Sequence, residues 1–217
     1  MPVTAKKKTQ KREPLTPDRI VGMALELVER DGLSGFSFRK LAGDLGCEAM
    51  SIYYHYPSKA HLFDAMATHC LAKANWPADS MPWRAAIRQY LTEFRRIAHE
   101  NPAFFQFLAL YRMNSQAGLN LLENALGVFR RGGFPPQQTA RYFRLLSYYV
   151  VGAALDETSG YAKGPSAAAP VPGDIVVRDY PTVASVGPFF SSSGFDQTFY
   201  TGLDLLLDGI EKAHRQP

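Results

Sequence analysis

Residues 37–59 decide how the amino-terminal part of the chain folds, and they read SFRKLAGDLGCEAMSIYYHYPSK. The first half of this stretch carries apolar residues at three-to-four spacing, the pattern of a helix that buries one face. These apolar residues are Phe38, Leu41, Ala42 and Leu45. Ser37 precedes them and is placed to cap the free amide groups at the start of the helix. The pattern therefore predicts a short amphipathic helix with a defined beginning.

A second short helix follows directly after a glycine. Gly46 supplies the left-handed backbone that a tight turn between two helices requires. The residues that can pack inward from the second helix are Ala49, Ile52 and Tyr53. Tyr56 ends this helix, because Pro57 pushes the preceding residue out of helical geometry. Two short helices joined in this way predict a helix-turn-helix whose second helix reads DNA.

The surrounding sequence resembles the tetracycline-repressor (TetR) family of one-component bacterial regulators. The family pattern has a capped first helix and an alcohol-capped second helix with a basic pair and Leu-Ala. Its recognition helix ends Tyr-x-His-aromatic, then a small residue and lysine. The matching segments here are Leu15-Thr16-Pro17, Ala24-Leu25, Asp31-Gly32-Leu33, Phe36 to Ala42, Leu45-Gly46 and Ile52 to Lys59. One position departs from the pattern: Glu48 stands where the family usually has Ser or Thr as the cap.

The expected DNA contacts fall into two groups. The recognition helix, about residues 48–55, is expected to lie in the major groove and to present Glu48, Ala49, Met50, Ser51 and Tyr54 to base edges. The resemblance places further residues near backbone phosphates: Tyr53, His55 and Lys59, with Ser37, Arg39 and Lys40 flanking the groove. Alternatively, Tyr53 and Tyr56 are chiefly core residues. Arg39 and Lys40 are then ordinary solvated side chains.

Length and composition agree with an all-α protein of two domains. The chain has 217 residues, and its hydrophobic content of 46% supplies a substantial core. We expect a basic tail over 1–13, a three-helix helix-turn-helix domain over 14–60 with a linking helix to about 75, and a helical effector-binding and dimerisation domain over 76–217. No run of 18 apolar residues and no secretion signal occur, which predicts a cytoplasmic protein without a membrane span.

The amino-terminal tail carries much of the positive charge. The chain has a net charge of +4, yet residues 1–12 contain five basic side chains and no acid. Such a tail can act as an arm that adds affinity for phosphate without reading sequence. Alternatively, it is a solubilising terminus or a remnant of expression.

Apolar periodicity predicts seven helices besides the helix-turn-helix pair. They are expected at about 17–31, 59–73, 83–101, 104–111, 115–131, 137–161 and 196–214. Residues 164–194 are rich in Gly, Pro, Ala and Ser, which predicts a long loop with a brief extended segment at 174–177. In the resembling family the two final long helices pair with those of a second subunit. We therefore expect a homodimer through about 137–161 and 196–214. The alternative is that the apolar stripes of these two helices pack within one monomer.

The second domain is dense in aromatic residues, which suits either a core or a pocket. The resemblance implies a small-molecule effector between its central helices, of a largely apolar or aromatic kind. The residues expected to contact it are Phe104, Phe107, Leu108, Tyr111, Phe129, Tyr148, Tyr149 and Gly152. Polar groups able to orient it include Arg112, Asn114, Gln116, Asp156 and Glu157.

The sequence gives no support for an enzyme, a metal site or a cofactor. The sequence motifs of serine hydrolases, P-loops, dinucleotide sites and zinc proteases are missing. Cys47 and Cys70 lack zinc spacing, and His61 and His69 are two helical turns apart. The expected function is a ligand-responsive repressor that binds a palindromic DNA operator as a dimer. The alternative is a helical small-molecule-binding protein whose helix-turn-helix is only structural.

Overall fold

A computed structural model describes residues 14–160 and 166–215, and within these ranges every regular element is a helix. The basic tail predicted over 1–13 lies outside the described residues. The chain divides into two compact units, with the boundary between Met66 and Ala67. This boundary lies inside the helix predicted to link two domains. The all-α fold class predicted from the sequence is confirmed.

The first unit contains α1 (Pro17–Gly35), α2 (Phe38–Leu45), α3 (Ala49–His55) and the beginning of α4 (Lys59–Ala72). Thr16 caps α1 by accepting a hydrogen bond from the Arg19 amide at 3.3 Å. Gly32 leaves helical geometry with a φ of 74°. The regular part of α1 therefore ends at about residue 31, as the sequence predicts, and one further helical turn follows Gly32.

The caps and the turn predicted for the helix-turn-helix are present. The Ser37 hydroxyl accepts a hydrogen bond from the Lys40 amide at 3.3 Å. Gly46 adopts the left-handed conformation with a φ of 66°, where a side chain would be strained. The Tyr56 amide bonds to the Ile52 carbonyl at 2.9 Å and closes α3.

The core of the first unit joins α1, α2 and α3. Its fully buried members include Ile20, Leu27, Leu41 and Ile52. Burial of each such side chain contributes roughly 1.5–3 kcal/mol. Ile52 is the only residue of α3 that is buried, so the recognition helix is held by one central anchor and leaves most of its surface accessible.

The second unit is built on four long helices and the short α6. They are α5 (Trp83–Glu100), α6 (Pro102–Leu108), α7 (Gln116–Arg131), α8 (Pro136–Ser159) and α11 (Phe195–His214). Helix α5 packs against α6, α7 and α8, and aromatic residues such as Phe129, Phe134 and Phe199 fill the core. In the described part of the chain, every helix is too short or too polar to cross a lipid bilayer.

The expectation for residues 164–194 was wrong in part. Instead of a loop with an extended segment at 174–177, the chain forms α9 (Gly173–Asp179) and α10 (Pro181–Val186), followed by 3₁₀ turns at Gly187–Phe190 and Ser192–Gly194. Ile175, Val176 and Val177 favour a strand, but the described residues offer no strand for pairing. Pro181 begins a helix readily because its fixed φ suits the first turn. No residue of α9 or α10 is buried.

An ion-pair network around the buried Arg95 and Glu157 ties α5 to α8 and α11. Arg95 Nε donates to Glu157 Oε2 at 2.6 Å, and an Arg95 terminal nitrogen donates to Asp196 at 2.8 Å. His99 Nε2 lies 2.8 Å from the same Glu157 oxygen. Burial opposes the charge of Arg95, but the hydrogen bonds that its guanidinium donates to the two carboxylates outweigh burial and raise its pKa.

We expect Arg95→Met to destabilise the second unit by about 3–5 kcal/mol, because it leaves the buried Glu157 carboxylate without its guanidinium. Urea denaturation followed by the fluorescence of Trp76 and Trp83, both in this unit, measures the change. Arg84→Met is the control, since the partners Asp208 and Glu211 are more exposed, and it should cost less than about 1 kcal/mol. Equal effects of the two variants would contradict the role of the network.

Candidate DNA interface and effector cavity

Helix α3 presents an accessible face made of the residues predicted to read bases. Met50 is 75% exposed and Tyr54 is 88% exposed, and Ser51 and Glu48 are also exposed. Ala49 is half-buried. An exposed methionine and tyrosine on a seven-residue helix contribute nothing to the core, so this face is suited to an external partner.

Tyr53 lies at the edge of this face and has a structural contact as well. Its ring meets Phe38 edge-on, with 4.6 Å between the centroids, while 44% of the residue is exposed. The core and phosphate interpretations of Tyr53 are therefore compatible. His55 is half-buried, with its ring 5.6 Å from that of Tyr54.

Tyr56 connects the end of α3 to the beginning of α1. Its hydroxyl donates to the Pro17 carbonyl oxygen at 3.5 Å. Burial raises the pKa of Tyr56, and the nearby Asp18 carboxylate raises it further. The point at which the amino-terminal tail joins the folded unit is thus beside the carboxy-terminal end of the recognition helix.

The basic residues predicted to hold phosphates differ in their surroundings. The Lys59 ammonium lies over the rings of Phe36 and Phe63, 5.2 and 4.9 Å from their centroids, and donates to the Leu33 carbonyl at 3.3 Å. Lys40 is paired with Asp31 at 2.8 Å. Arg39 is exposed on α2.

The same aspartate belongs to a chain of surface ion pairs between α1 and α2. Arg30 reaches Asp31 at 3.0 Å and Asp44 at 2.9 Å. Hydrogen bonds from Lys40 and Arg30 lower the pKa of Asp31 below its ordinary value. Because the pKa is lowered on folding, the stabilisation is present above the ordinary carboxyl pKa and is lost as the pH falls through the folded value.

Glu48 is the residue that departs from the resembling family's cap. It occupies the N-cap of α3, but its side chain makes no capping hydrogen bond. The carboxylate can still favour the positive end of the helix. The first turn of α3 is therefore less firmly held than that of α2, where Ser37 makes the bond.

The second unit contains a partly open cavity of about 270 Å³ between α5, α6, α7 and α8. Apolar and aromatic side chains provide most of its wall. The lining residues are Trp76, Ile87, Tyr90, Leu91, Phe94, Leu108, Ala109, Tyr111, Met113, Leu121, Leu122, Ala125, Phe129, Phe143, Leu146, Ser147, Val150 and Val151. No charged side chain occurs among these described lining residues, so the cavity suits a largely apolar molecule.

Three of the residues predicted to contact an effector line this cavity: Leu108, Tyr111 and Phe129. Phe104 is fully buried in the core, and Phe107 packs between Phe104 and Tyr111 with centroid distances of 5.4 Å. Tyr148 is 70% exposed and lines neither this cavity nor the cleft described next.

The remaining two, Tyr149 and Gly152, border a separate open cleft beside the Phe189–Phe199 segment. Asp156 and Glu157, which the sequence offered as orienting groups, line this cleft too, and Glu157 is held by Arg95. Arg112, Asn114 and Gln116 are exposed and line neither cavity. The predicted ligand residues therefore do not form one site.

The sequence prediction missed the wall that α5 provides. Ile87, Tyr90, Leu91 and Phe94 recur at three-to-four spacing, and by itself this stripe indicates only the core face of a helix. Trp76 also lines the cavity; its indole nitrogen donates to the Leu71 carbonyl at 2.9 Å, and its ring stacks on Tyr90. A stripe of large aromatic residues looks the same in sequence whether it fills a core or surrounds a cavity.

Within the described ranges, no group of three or more His, Cys, Asp or Glu side chains is arranged to hold a metal ion. The histidine that follows the recognition helix has another role. His61 Nδ1 lies 2.8 Å from the Ser58 hydroxyl, and its amide donates to the same oxygen at 3.4 Å. This contact caps α4.

We expect Lys59→Met to destabilise the first unit by about 1 kcal/mol, because it removes both the contact with the two rings and the bond to Leu33. Hydrogen exchange of the α2 amides should become about five-fold faster, as measured by mass spectrometry. Lys59→Arg keeps a cation over the rings and serves as the control. Unchanged exchange in Lys59→Met would show that these contacts do not stabilise the unit.

Comparison with known proteins identifies both units. Residues 20–66 match the family model of bacterial regulatory proteins of the tetR family. Residues 76–214 match the model of the tetracyclin repressor-like carboxy-terminal domain. Together these two matches cover most of the chain, and the boundary between them agrees with the division into two units.

Individual relatives and a solved structure agree with the family models. The chain is 28% identical to the HTH-type transcriptional repressor DrrR1 of Streptomyces coeruleorubidus, over 91% of this chain and 77% of that protein. It is 26% identical to the class A tetracycline repressor of transposon 1721 from Escherichia coli, over 91% of each.

The crystal structure of a possible TetR family regulator from Streptomyces coelicolor A3(2) has a TM-score of 0.72 and 25% identity, over 91% of this chain and all of that one. The resemblance found in residues 14–75 is thereby confirmed and extends through the second unit. This chain belongs to the TetR family of DNA-binding, ligand-responsive transcriptional regulators.

Proposed function

We propose that the protein represses transcription by binding a palindromic operator as a cytoplasmic homodimer, and that a neutral aromatic effector releases it. The observation that carries the proposal is that one chain has both an exposed helix α3 and an apolar cavity. The proposal contains no catalytic step, and the relatives are transcriptional regulators.

The DNA part of the proposal rests on the accessible face of α3. Met50 and Ala49 can approach thymine methyl groups, the Ser51 hydroxyl can bond several base edges, and Glu48 can accept from cytosine. Tyr53, His55 and Arg39 lie where phosphate contacts would fix the register of the helix on the duplex. Two such helices related by a two-fold axis would bind two half-sites with the same symmetry, so the operator would be palindromic.

The dimer is supported by apolar residues that α8 and α11 leave uncovered. Leu145 and Tyr148 on α8 are 36% and 70% exposed, and Leu205 on α11 is 68% exposed. A side chain at Gly152 or Gly209 would meet nothing within 4 Å. Partner helices could therefore approach closely at these positions, and a second copy would remove the exposed apolar surface from water.

The effector class follows from the wall of the cavity. Trp76 Nε1 and the Ser147 hydroxyl already donate to backbone carbonyls, at 2.9 and 2.8 Å. Burial raises the pKa of Tyr90, so its phenol remains protonated at neutral pH. An ionised ligand would find no counter-ion among the described lining residues and would lose its hydration. We therefore propose a neutral ligand of roughly two or three fused aromatic rings.

Release requires that the effector prefer a conformer that does not fit DNA. Two recognition helices must lie about 34–36 Å apart to enter successive major grooves. A ligand with equal affinity for both conformers leaves their populations unchanged. A ligand that binds one conformer about 10⁴-fold more tightly reverses a population ratio of about 100 to 1. Changing the separation of the helices is sufficient to weaken binding at both half-sites.

The switch can be tested by selecting bound fragments from random DNA and titrating the selected duplex with protein, with and without 2-hydroxymethylanthraquinone. We expect neutral anthraquinones to weaken operator binding at least about ten-fold and anthraquinone-2-sulfonate to have little effect, because its charge would be buried. Fluorescence anisotropy provides the measurement. A chain that binds every duplex equally, or none, would contradict the proposed function.

A variant of the cavity separates effector binding from DNA binding. Ala125→Trp fills the cavity and should abolish the response while leaving operator affinity within about two-fold. Asn124→Trp places the same side chain on the exposed side of α7 and should respond normally. Val151→Phe, from the opposite wall, provides a second test if Ala125→Trp fails to fold.

The proposed dimer interface on α8 and α11 can be tested separately. Tyr148→Arg combined with Leu205→Arg should give a monomer in sedimentation velocity and lower operator affinity by about 10²–10⁴-fold, because the two half-sites are no longer linked. Leu110→Arg is the control, since this residue is 88% exposed but lies outside α8 and α11. A double variant that remains dimeric would place the interface elsewhere.

A further inference from the structure

One hydroxyl interrupts the apolar face that α8 contributes to the effector cavity. Four apolar residues of this helix line the cavity together with Ser147: Phe143, Leu146, Val150 and Val151. The five positions recur at helical spacing and form one face. Serine is a poorer helix former than alanine, and a hydroxyl in an apolar wall contributes no hydrophobic burial. Packing alone would therefore favour alanine at this position.

The hydrogen bond that Ser147 makes determines what its hydroxyl can offer a ligand. Its Oγ donates to the Phe143 carbonyl, four residues earlier in α8, at 2.8 Å. A hydroxyl has one hydrogen and two lone pairs. Because the hydrogen is engaged with the helix backbone, only the lone pairs of the oxygen are left for a molecule in the cavity. Ser147 is therefore a hydrogen-bond acceptor toward the cavity.

Two other alcohols of α8 make the same kind of bond at positions away from the cavity. Thr158 donates to the Ala154 carbonyl at 2.7 Å, and Ser159 donates to the Leu155 carbonyl at 3.2 Å. Thr158 is buried and Ser159 is exposed, and neither residue lines the cavity. The bond to the backbone is thus common to the three alcohols. What distinguishes Ser147 from the other two is its place in the cavity wall.

The other polar groups of the wall have different hydrogen-bonding roles. The Trp76 indole is a donor only, and it already binds the Leu71 carbonyl. The phenols of Tyr90 and Tyr111 can each donate or accept, so by their chemistry they suit ligand donors and ligand acceptors alike. Ser147 differs from these groups because its proton is held by the helix. Its preference for a ligand that donates is therefore definite.

We propose that Ser147 is a specificity-determining residue of the effector cavity, and that it selects fused aromatic ligands carrying a neutral hydroxyl over ligands of similar shape without a donor. The inference rests on the proposed effector function of this cavity and adds the hydrogen-bonding class of the ligand. The ligand hydroxyl donates to Ser147 Oγ, while the rings contact the apolar wall. A site with a placed hydrogen-bonding group discriminates far better than a purely apolar pocket does.

Burial makes the ligand's hydroxyl depend on this acceptor. A hydroxyl that moves from water into an apolar cavity loses its hydrogen bonds to water and needs a partner inside. Ser147 supplies that partner with little rearrangement, because its bond to the Phe143 carbonyl orients the side chain. A neutral hydrogen bond changes affinity by about two- to ten-fold, and a buried donor left without a partner loses more.

The test compares 1-naphthol and 2-naphthol with their methyl ethers, which keep the ring system and lack the donor. Isothermal titration calorimetry with the full chain measures each affinity at neutral pH, where a phenol stays protonated. We expect the wild-type chain to bind at least one naphthol about ten-fold more tightly than its ether. Ser147→Ala should bring this ratio to within about two-fold by weakening the naphthol and leaving the ether unchanged.

Ser159→Ala is the matched control for this variant. It removes the same hydroxyl and the same kind of backbone bond from the same helix, outside the cavity. This control should keep the wild-type preference for the naphthol. The unfolding temperatures of both variants establish that the second unit remains folded.

The outcomes separate this inference from the function on which it rests. If the wild-type chain binds naphthols and ethers equally, or if Ser147→Ala keeps the preference, Ser147 does not select the ligand, although the cavity still binds fused rings. If Ser147→Ala weakens naphthols and ethers alike, the residue only shapes the cavity and the inference is wrong. If the wild-type chain binds none of the four compounds, the proposed effector class fails, and this inference fails with it.

Discussion

The DNA-reading surface depends on the burial of Ile52 against the helices around it. Helix α3 has seven residues, too few to be stable alone in water. One fully buried isoleucine, the edge contact of Tyr53 with Phe38, and the bond from Tyr56 to α1 hold it in place. Because so few residues anchor the helix, Met50, Ser51 and Tyr54 remain exposed and accessible to the proposed base contacts. A stronger anchor would bury side chains that these contacts require.

The helix-turn-helix could be predicted in detail because each of its features has a local cause. Ser37 caps because it precedes an apolar stripe, and Gly46 turns because only glycine adopts that backbone without strain. The cavity could not be predicted in this way. Its wall joins Trp76, α5, α7 and α8, which are distant in sequence, and the aromatic stripes that form it also pack the core. The prediction of a brief extended segment at 174–177 failed for a related reason, since its β-branched residues favour a strand but the described residues contain no partner strand.

Ion pairs within the first unit engage two of its cations, Arg30 and Lys40. Pairing Arg30 and Lys40 with Asp31 stabilises the junction of α1 and α2, and it lowers the pKa of that aspartate. The same cations are then less available for phosphate.

An apolar cavity of this size can supply enough free energy to operate a switch. Reversing a bias of about 100 to 1 requires a differential binding free energy of about 5.5 kcal/mol. At about 25 cal/mol per Å² of apolar surface, this corresponds to roughly 220 Å² buried in one conformer and not in the other. A ligand of fused aromatic rings offers apolar surface of this order, since a single aromatic side chain buries about 150–250 Å². Hydrophobic contact alone can therefore drive the transition, provided that the cavity closes fully around the ligand in one conformer.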